Sequence, residues 1–159
     1  MDHPAALDFD AANCSIGATI AVVGEKWTFL VLREAFLGVR RFGDIQRRTS
    51  APRQILSDRL SRLVGQGLLR RVPYQEEGQR VRHEYRLTTK GLDLYPVIVS
   101  LMHWGDKHAA GPDGPPMLLT HRDCGEPVGY RLMCEAGHTL ASAREVTPKS
   151  GPGARRIAS

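Results

Sequence analysis

The stretch that most constrains this chain covers residues 41–89. Leu56, Leu60, Leu63 and Val64 recur there at helical spacing and make one apolar stripe. Pro52 suits the first turn of such a helix, where its missing N–H would be unpaired anyway. Ser50 is placed to cap it. Gly67 stops it, because a left-handed C-terminal residue is easiest for glycine. The spacing therefore predicts a helix over 52–66. Ser50, Ala51, Arg53, Gln54, Ser57 and Asp58 are left at its N-terminal face, with Arg59 and Arg62 to one side. Phe42 and Ile45 anchor a shorter helix before it, among Arg40, Arg41, Arg47 and Arg48. Residues 68–73 and 80–87 read as strands joined by a turn at 75–79, where Gly78 is available for positive φ. Val81, Tyr85 and Leu87 are the expected apolar contacts of the return strand.

Two short helices, a tight turn and a basic two-stranded ribbon are the layout of a winged helix-turn-helix, which lays its second helix in the DNA major groove. Arg and Gln suit base edges, and flanking arginines suit phosphates. The candidate DNA contacts are Arg41, Arg48, Ser50, Arg53, Gln54, Ser57, Arg59 and Arg62, with Arg80 and Arg82 on the wing. Alone, the 52–66 helix reads better as an amphipathic helix with a solvated charged face. The helix before it and the ribbon after it reverse that balance. Charge agrees: 22 Lys plus Arg stand against 17 Asp plus Glu, a net +5 with a pI near 9.4, which favours a polyanionic partner.

A length of 159 residues predicts one domain with a tail. At 42% hydrophobic and only 6% aromatic, its core must be aliphatic. Residues 1–13 read as a mobile arm. Ser15 can cap a helix carrying Ile16, Ile20 and Val23, closed by Gly24. A second helix over 26–37 carries Trp27, Leu30, Val31 and Phe36, and Gly38 ends it. Residues 89–108 are helical, with Pro96 kinking or restarting the helix. Leu92, Tyr95, Val99 and Met102 belong to an apolar set larger than one small domain needs, which suggests a partner helix. Residues 109–116 form a linker, 117–146 a small module and 147–159 a disordered tail.

An ordered series carries a family resemblance: Cys14; Gly24, Lys26 and Trp27 with Leu30, Leu32 and Arg33; Arg41 and Phe42; Pro52 and Arg53 with Leu56, Ser57, Arg59 and Leu60; Gly67, Leu68 and Arg70; Tyr85, Leu87 and Thr88; Lys90 and Gly91; Trp104, Gly105 and Asp106. In order and spacing, residues 14–108 resemble the HxlR family of bacterial winged-helix transcription regulators, relatives of the MarR type. The fold this implies is α+β, mainly α. It is a winged helix-turn-helix with N- and C-terminal dimerisation helices over 14–108 and a small β-rich tail module. The resemblance also implies a homodimer, which would read a palindromic operator in double-stranded DNA. Several members use a cysteine at the position of Cys14 as a thiol sensor, although the proline that often follows is here Ser15. Cys14 lies beside a helix N-terminus, where the dipole favours thiolate, and its other reading is a small buried residue at a dimer contact.

The tail module holds two short-spaced pairs, His121 with Cys124 and Cys134 with His138, which could close a tetrahedral zinc site. Some HxlR-like tails resemble this, with a later Cys-x-x-Cys pair that is absent here. The other reading is a hairpin left from an ancestral metal site. No cofactor is otherwise required. The histidines show no triad spacing, and there is no Gly-rich phosphate loop, so no enzyme is predicted. No apolar run approaches the ~20 residues of a membrane span, and the N-terminus does not read as a signal peptide. Three cysteines make no disulfide framework, and the expected location is cytoplasmic. The reading is a DNA-binding regulator, a homodimeric repressor answering to an unidentified small-molecule or thiol-reactive effector. Two alternatives stay open: a winged-helix protein-interaction module, and a redox or zinc sensor with DNA output.

Overall fold

The leucine stripe of residues 56–63 sets the core. The computed structural model describes residues 10–155. In order the elements are α1 (Ser15–Val23), α2 (Lys26–Phe36), α3 (Phe42–Thr49), α4 (Arg53–Gly65), β1 (Leu69–Tyr74), β2 (Arg82–Leu87), α5 (Thr89–Leu92), α6 (Tyr95–His108), β3 (Leu132–Met133) and β4 (Thr139–Leu140). They fall into two compact units. One is residues 25–130; the other joins the described residues up to 24 with those from 131 on. This division differs from the expected boundaries at 14–108 and 117–146: α1 groups with the end of the chain, and the first half of the expected tail module belongs to the larger unit.

In the larger unit Leu56, Leu60 and Leu63 of α4 are buried, as are Val31 and Leu32 of α2, Ile45 of α3, and Leu68 and Leu69, and α4 packs on α2 and β1. Burying each such side chain stabilises the fold by about 1.5–3 kcal/mol. β1 and β2 pair antiparallel, from Leu69 opposite Leu87 to Tyr74 opposite Arg82, and Gly78 turns between them with φ 73°. The buried Tyr85 donates its backbone N–H to the Arg40 carbonyl at 2.8 Å, and Arg41 bridges Glu84. The ribbon is thus stitched to the residues that lead into α3. Val81, expected as an apolar contact, is 53% exposed; it precedes β2, which begins at Arg82.

α4 ends as its glycine predicts, with Gln66 as C-cap and Gly67 at φ 70°. A polar buckle then fixes the next turn. The Thr88 hydroxyl donates to the Gly67 carbonyl at 2.6 Å and accepts from Gly91 N–H at 3.1 Å, while Lys90 Nζ donates to the Gln66 carbonyl at 2.8 Å. Gly91 lies so close that a Cβ there would overlap the Leu68 carbonyl oxygen. Pro96 restarts the helix in the first turn of α6. Beyond α6, a small hairpin forms where Val128 N–H meets the Leu119 carbonyl and His121 N–H meets the Glu126 carbonyl, both at 2.8 Å. The Tyr130 ring lies 5.5 Å from that of His103 on α6.

In the smaller unit the cap of α1 is Cys14, not Ser15: Cys14 Sγ accepts the Gly17 N–H at 3.5 Å, and Ser15 is the first helical residue. Asp10 N–H donates to the Arg155 carbonyl at 3.0 Å, and Arg155 N–H to Asn13 Oδ1 at 2.8 Å. The tail expected to be disordered is therefore held at Arg155, whose carbonyl accepts a backbone N–H and whose N–H donates to a side-chain oxygen. The remaining parts of the expected arm and tail, residues 1–9 and 156–159, lie outside the described residues.

Gly91→Ala should cost about 1–3 kcal/mol through steric overlap with the Leu68 carbonyl. Circular-dichroism melting would show it as a lowered Tm, and an unchanged Tm would contradict the close approach.

Candidate nucleic-acid interface

The start of α4 is built differently from the expected Ser50 cap. Ser50 sits in the left-handed region (φ 56°, ψ 24°) and closes α3, donating its N–H to the Gln46 carbonyl at 2.8 Å. Pro52 takes the N-cap position of α4 and offers no side-chain cap. The first N–H groups of α4 are left without a side-chain acceptor, which suits them to a phosphate oxygen. Thr49 firms the turn instead: its hydroxyl donates to the Ile45 carbonyl at 2.7 Å and accepts from Ala51 N–H at 3.3 Å.

Arg53, Gln54, Ser57 and Asp58 are all exposed on the first turns of α4. The Arg53 guanidinium lies 5.2 Å from the centre of the Phe42 ring, and Gln54 Nε2 donates to Asp58 Oδ1 at 3.1 Å. These contacts restrain the two side chains while leaving their outer polar atoms free. Next to this face, Gly38 to Arg41, Asp44, Arg47, Arg48 and Glu84 wall a surface hollow of about 400 Å³. Its four arginines outnumber its two carboxylates. Arg47 pairs with Asp44 at 2.8 Å, and Arg41 pairs with Glu76 at 2.7 Å beneath the Tyr74 ring. On the wing, Arg80 and Arg82 are exposed and make no ion pair among the described residues.

Three of the expected contacts pair with carboxylates of α2 and its N-cap. Arg59 Nη1 pairs with Glu25 at 2.5 Å and its side chain is only 18% exposed, so it tethers α4 to the start of α2 and does not reach outward. Arg62 meets the same carboxylate at 3.0 Å but stays on the surface. Arg48 is half-exposed, with its Nε bonded to Glu34.

Glu34 is the residue that sequence reasoning missed. It is 1% exposed, and its second oxygen takes Arg33 Nε at 2.9 Å and Arg33 Nη2 at 2.6 Å. Burial pushes its carboxyl up, but the hydrogen bonds from Arg48 and Arg33, and then their charges, outweigh burial and hold it below the usual 4.5. The available signal was a carboxylate two residues after the buried Leu32, the one acid within α2.

The pattern of two helices, uncapped reading turn, basic hollow and wing coincides with a match of residues 22–112 to HxlR-like helix-turn-helix proteins. The chain belongs to the HxlR-like family. Among its relatives is Rv3095 of Mycobacterium tuberculosis H37Rv, an uncharacterized HTH-type transcriptional regulator, 51% identical over 139 residues, or 87% of each chain. The crystal structure of PA1607, a candidate transcription factor, superposes with a TM-score of 0.78 at 33% identity, over 89% of this chain and 97% of that one. A candidate MarR-family regulator from Enterococcus faecalis V583 gives 0.52 at 32% identity, over 64% and 91%. This HxlR-type chain is a DNA-binding transcriptional regulator with a winged-helix, mainly α fold, in a family of regulators that are not enzymes. Among the described residues no single helix is long and apolar enough to cross a membrane.

The cysteines are free and exposed. His121 Nδ1 lies 3.2 Å from Cys124 Sγ in the larger unit, and Cys134 Sγ lies 3.5 Å from His138 Nδ1 in the smaller one. Each pair supplies two zinc-type donors of the four a structural site needs. Among the described residues no three His, Cys, Asp or Glu side chains gather as a metal site.

The lowered carboxyl of Glu34 gives stability that is present above the unfolded value of 4.5 and lost as pH falls through the folded one. Thermal melts of wild type and Glu34→Gln should therefore differ by about 1–3 kcal/mol near pH 7, and the difference should shrink as pH falls through the lowered folded-state value. Parallel curves across that range would contradict it.

Proposed function

We propose that this regulator is a homodimeric, sequence-specific repressor of the cytoplasm. Its affinity for DNA changes with a small-molecule or thiol-reactive effector. The observation that carries sequence reading is the exposed Arg53–Gln54 pair on the uncapped first turn of α4, beside the arginine hollow. Arg53, Gln54 and Ser57 address base edges, while Arg41, Arg48, Arg62, Arg80 and Arg82 address phosphates. The dimer is supported by apolar side chains left in water: Ile16 and Ile20 on α1, and Leu101 and Trp104 on α6. Two copies would place two reading helices on half-sites one turn apart, ~34 Å, in a palindromic operator. An effector that alters their spacing by a few ångströms breaks that fit.

The reading needs no cofactor. Zinc, where present, would take its donors from His121, Cys124, Cys134 and His138. Exposed Cys14, at the cap of α1, supports a thiol trigger. With such a trigger, Cys14→Ser keeps basal DNA binding and loses the response to oxidant, and a full response in that variant would remove Cys14 from the reading.

The experiment is footprinting on a duplex from the gene's own upstream region, with sedimentation equilibrium beside it. It should show a protein mass of two chains and two protected half-sites. Arg53→Ala and Gln54→Ala should cost about 1–3 kcal/mol on the operator and little on random DNA, whereas Arg80→Ala weakens both alike. A monomer on a single site, or equal losses for Arg53→Ala on both duplexes, would overturn the assignment.

A further inference from the structure

An apolar chamber of about 240 Å³ opens between α2, α6 and the hairpin that follows α6. Phe29, Leu30 and Phe36 come from α2, Ile98 and Met102 from α6, and Leu119 closes the far side. An engineered apolar cavity of roughly 150 Å³ holds benzene, so this one has room for a fused or substituted aromatic ring. Apolar surface left in contact with water costs about 25 cal/mol per Å², which an apolar occupant would recover.

One end of the chamber is polar. A cleft of about 460 Å³ shares Arg33, Leu37, Met102 and Met117 with it and adds Glu34, Arg48 and Asp106. Arg33 gives Nε and Nη2 to Glu34 and keeps Nη1 without a partner among the described residues. Asp106 is half-buried and forms no hydrogen bond or ion pair there. The cleft thus offers one free N–H donor and one free carboxylate acceptor. Two arginines and two carboxylates balance, so no excess positive charge invites an anion.

We propose that this chamber and cleft bind a small neutral molecule with an aromatic body and a single hydroxyl head. The hydroxyl oxygen accepts from Arg33 Nη1 and its proton is donated to Asp106, while the ring fills the chamber. A carboxylate head of the same shape would meet Asp106 and Glu34 as like charges, and a bare hydrocarbon would leave both polar groups unpaired.

The site adjoins the DNA-reading helices through one residue. Glu34 binds Arg33 with one oxygen and Arg48, in the last turn of α3, with the other. A ligand that draws on Arg33 therefore acts on the bridge that seats α3. This regulatory consequence rests on the proposed function; the binding site does not, and the two are tested apart.

Calorimetry of the full chain without DNA, using 2-naphthol, 2-naphthoate and naphthalene, tests the site. 2-Naphthol should bind at least about tenfold more tightly than either comparator, the effect of one charge-assisted hydrogen bond. Leu119→Trp, at the far wall, should weaken it at least about tenfold with an unchanged melt, and Ile98→Trp serves if the first variant is unstable. Asp106→Asn should narrow the preference for 2-naphthol over 2-naphthoate. Equal binding of all three probes, no heat from any, or undiminished binding by both tryptophan variants would overturn the site. So would 2-naphthol binding only as the dimer dissociates in sedimentation, since the chamber would then belong to a second copy. Tight 2-naphthol binding that leaves DNA affinity unchanged would overturn its regulatory role.

Discussion

The buried carboxylate of Glu34 is the interaction on which the DNA-reading half of this protein depends. One oxygen takes two nitrogens of Arg33 on its own helix, and the other takes Arg48 from α3. A lone buried carboxylate would be prohibitive, and a buried ion pair replaced by matched apolar groups often loses nothing. The bridge therefore serves position more than net stability. It sets α3 against α2 in one register, because any slip would strand a buried charge. Glu25 repeats the device at the other end of α2, holding Arg59 and Arg62 of α4. The two carboxylates of α2 and its N-cap thus seat both helices of the helix-turn-helix.

With its back fixed, the first turns of α4 keep Arg53, Gln54 and Ser57 exposed, where the proposed reading places DNA. The turn that delivers it is built by Thr49 and a left-handed Ser50, and Pro52 begins the helix with no side chain over its first N–H groups. A capped helix would have those donors satisfied internally. Here no side chain takes them, and the exposed Arg53 and Gln54 stand on the same turn. The ribbon that carries the wing is fixed by the Arg40–Tyr85 backbone bond, so hollow and wing share one rigid support.

Much of this was legible in the sequence, where local chemistry decides. The leucine period of α4, Gly67 after it, Gly78 in the wing turn and Pro96 at the restart of α6 all act within a few residues. What was not legible depends on partners distant in the chain. Nothing local marks Arg59 as drawn to Glu25, 34 positions earlier, or Arg48 to Glu34. Ser50 reads as a cap by type, but Pro52 favours extended backbone at residue 51, and the turn consumes Ser50 instead. Cys14 takes the cap of α1 because its sulfur, one residue before Ser15, reaches the Gly17 N–H. The division of the chain after Gly24 and Tyr130 has no signal in composition, since the linker-like run at 109–116 is richer in Pro and Gly than either boundary.

The most direct test is fluorescence anisotropy on a duplex from the gene's own upstream region, with a scrambled duplex beside it over a salt series. Specific binding should be ~10³-fold tighter or more, and its affinity should fall steeply with salt as phosphate contacts release counterions. Weak, salt-insensitive binding that is equal on both duplexes would contradict a face of α4 that reads sequence.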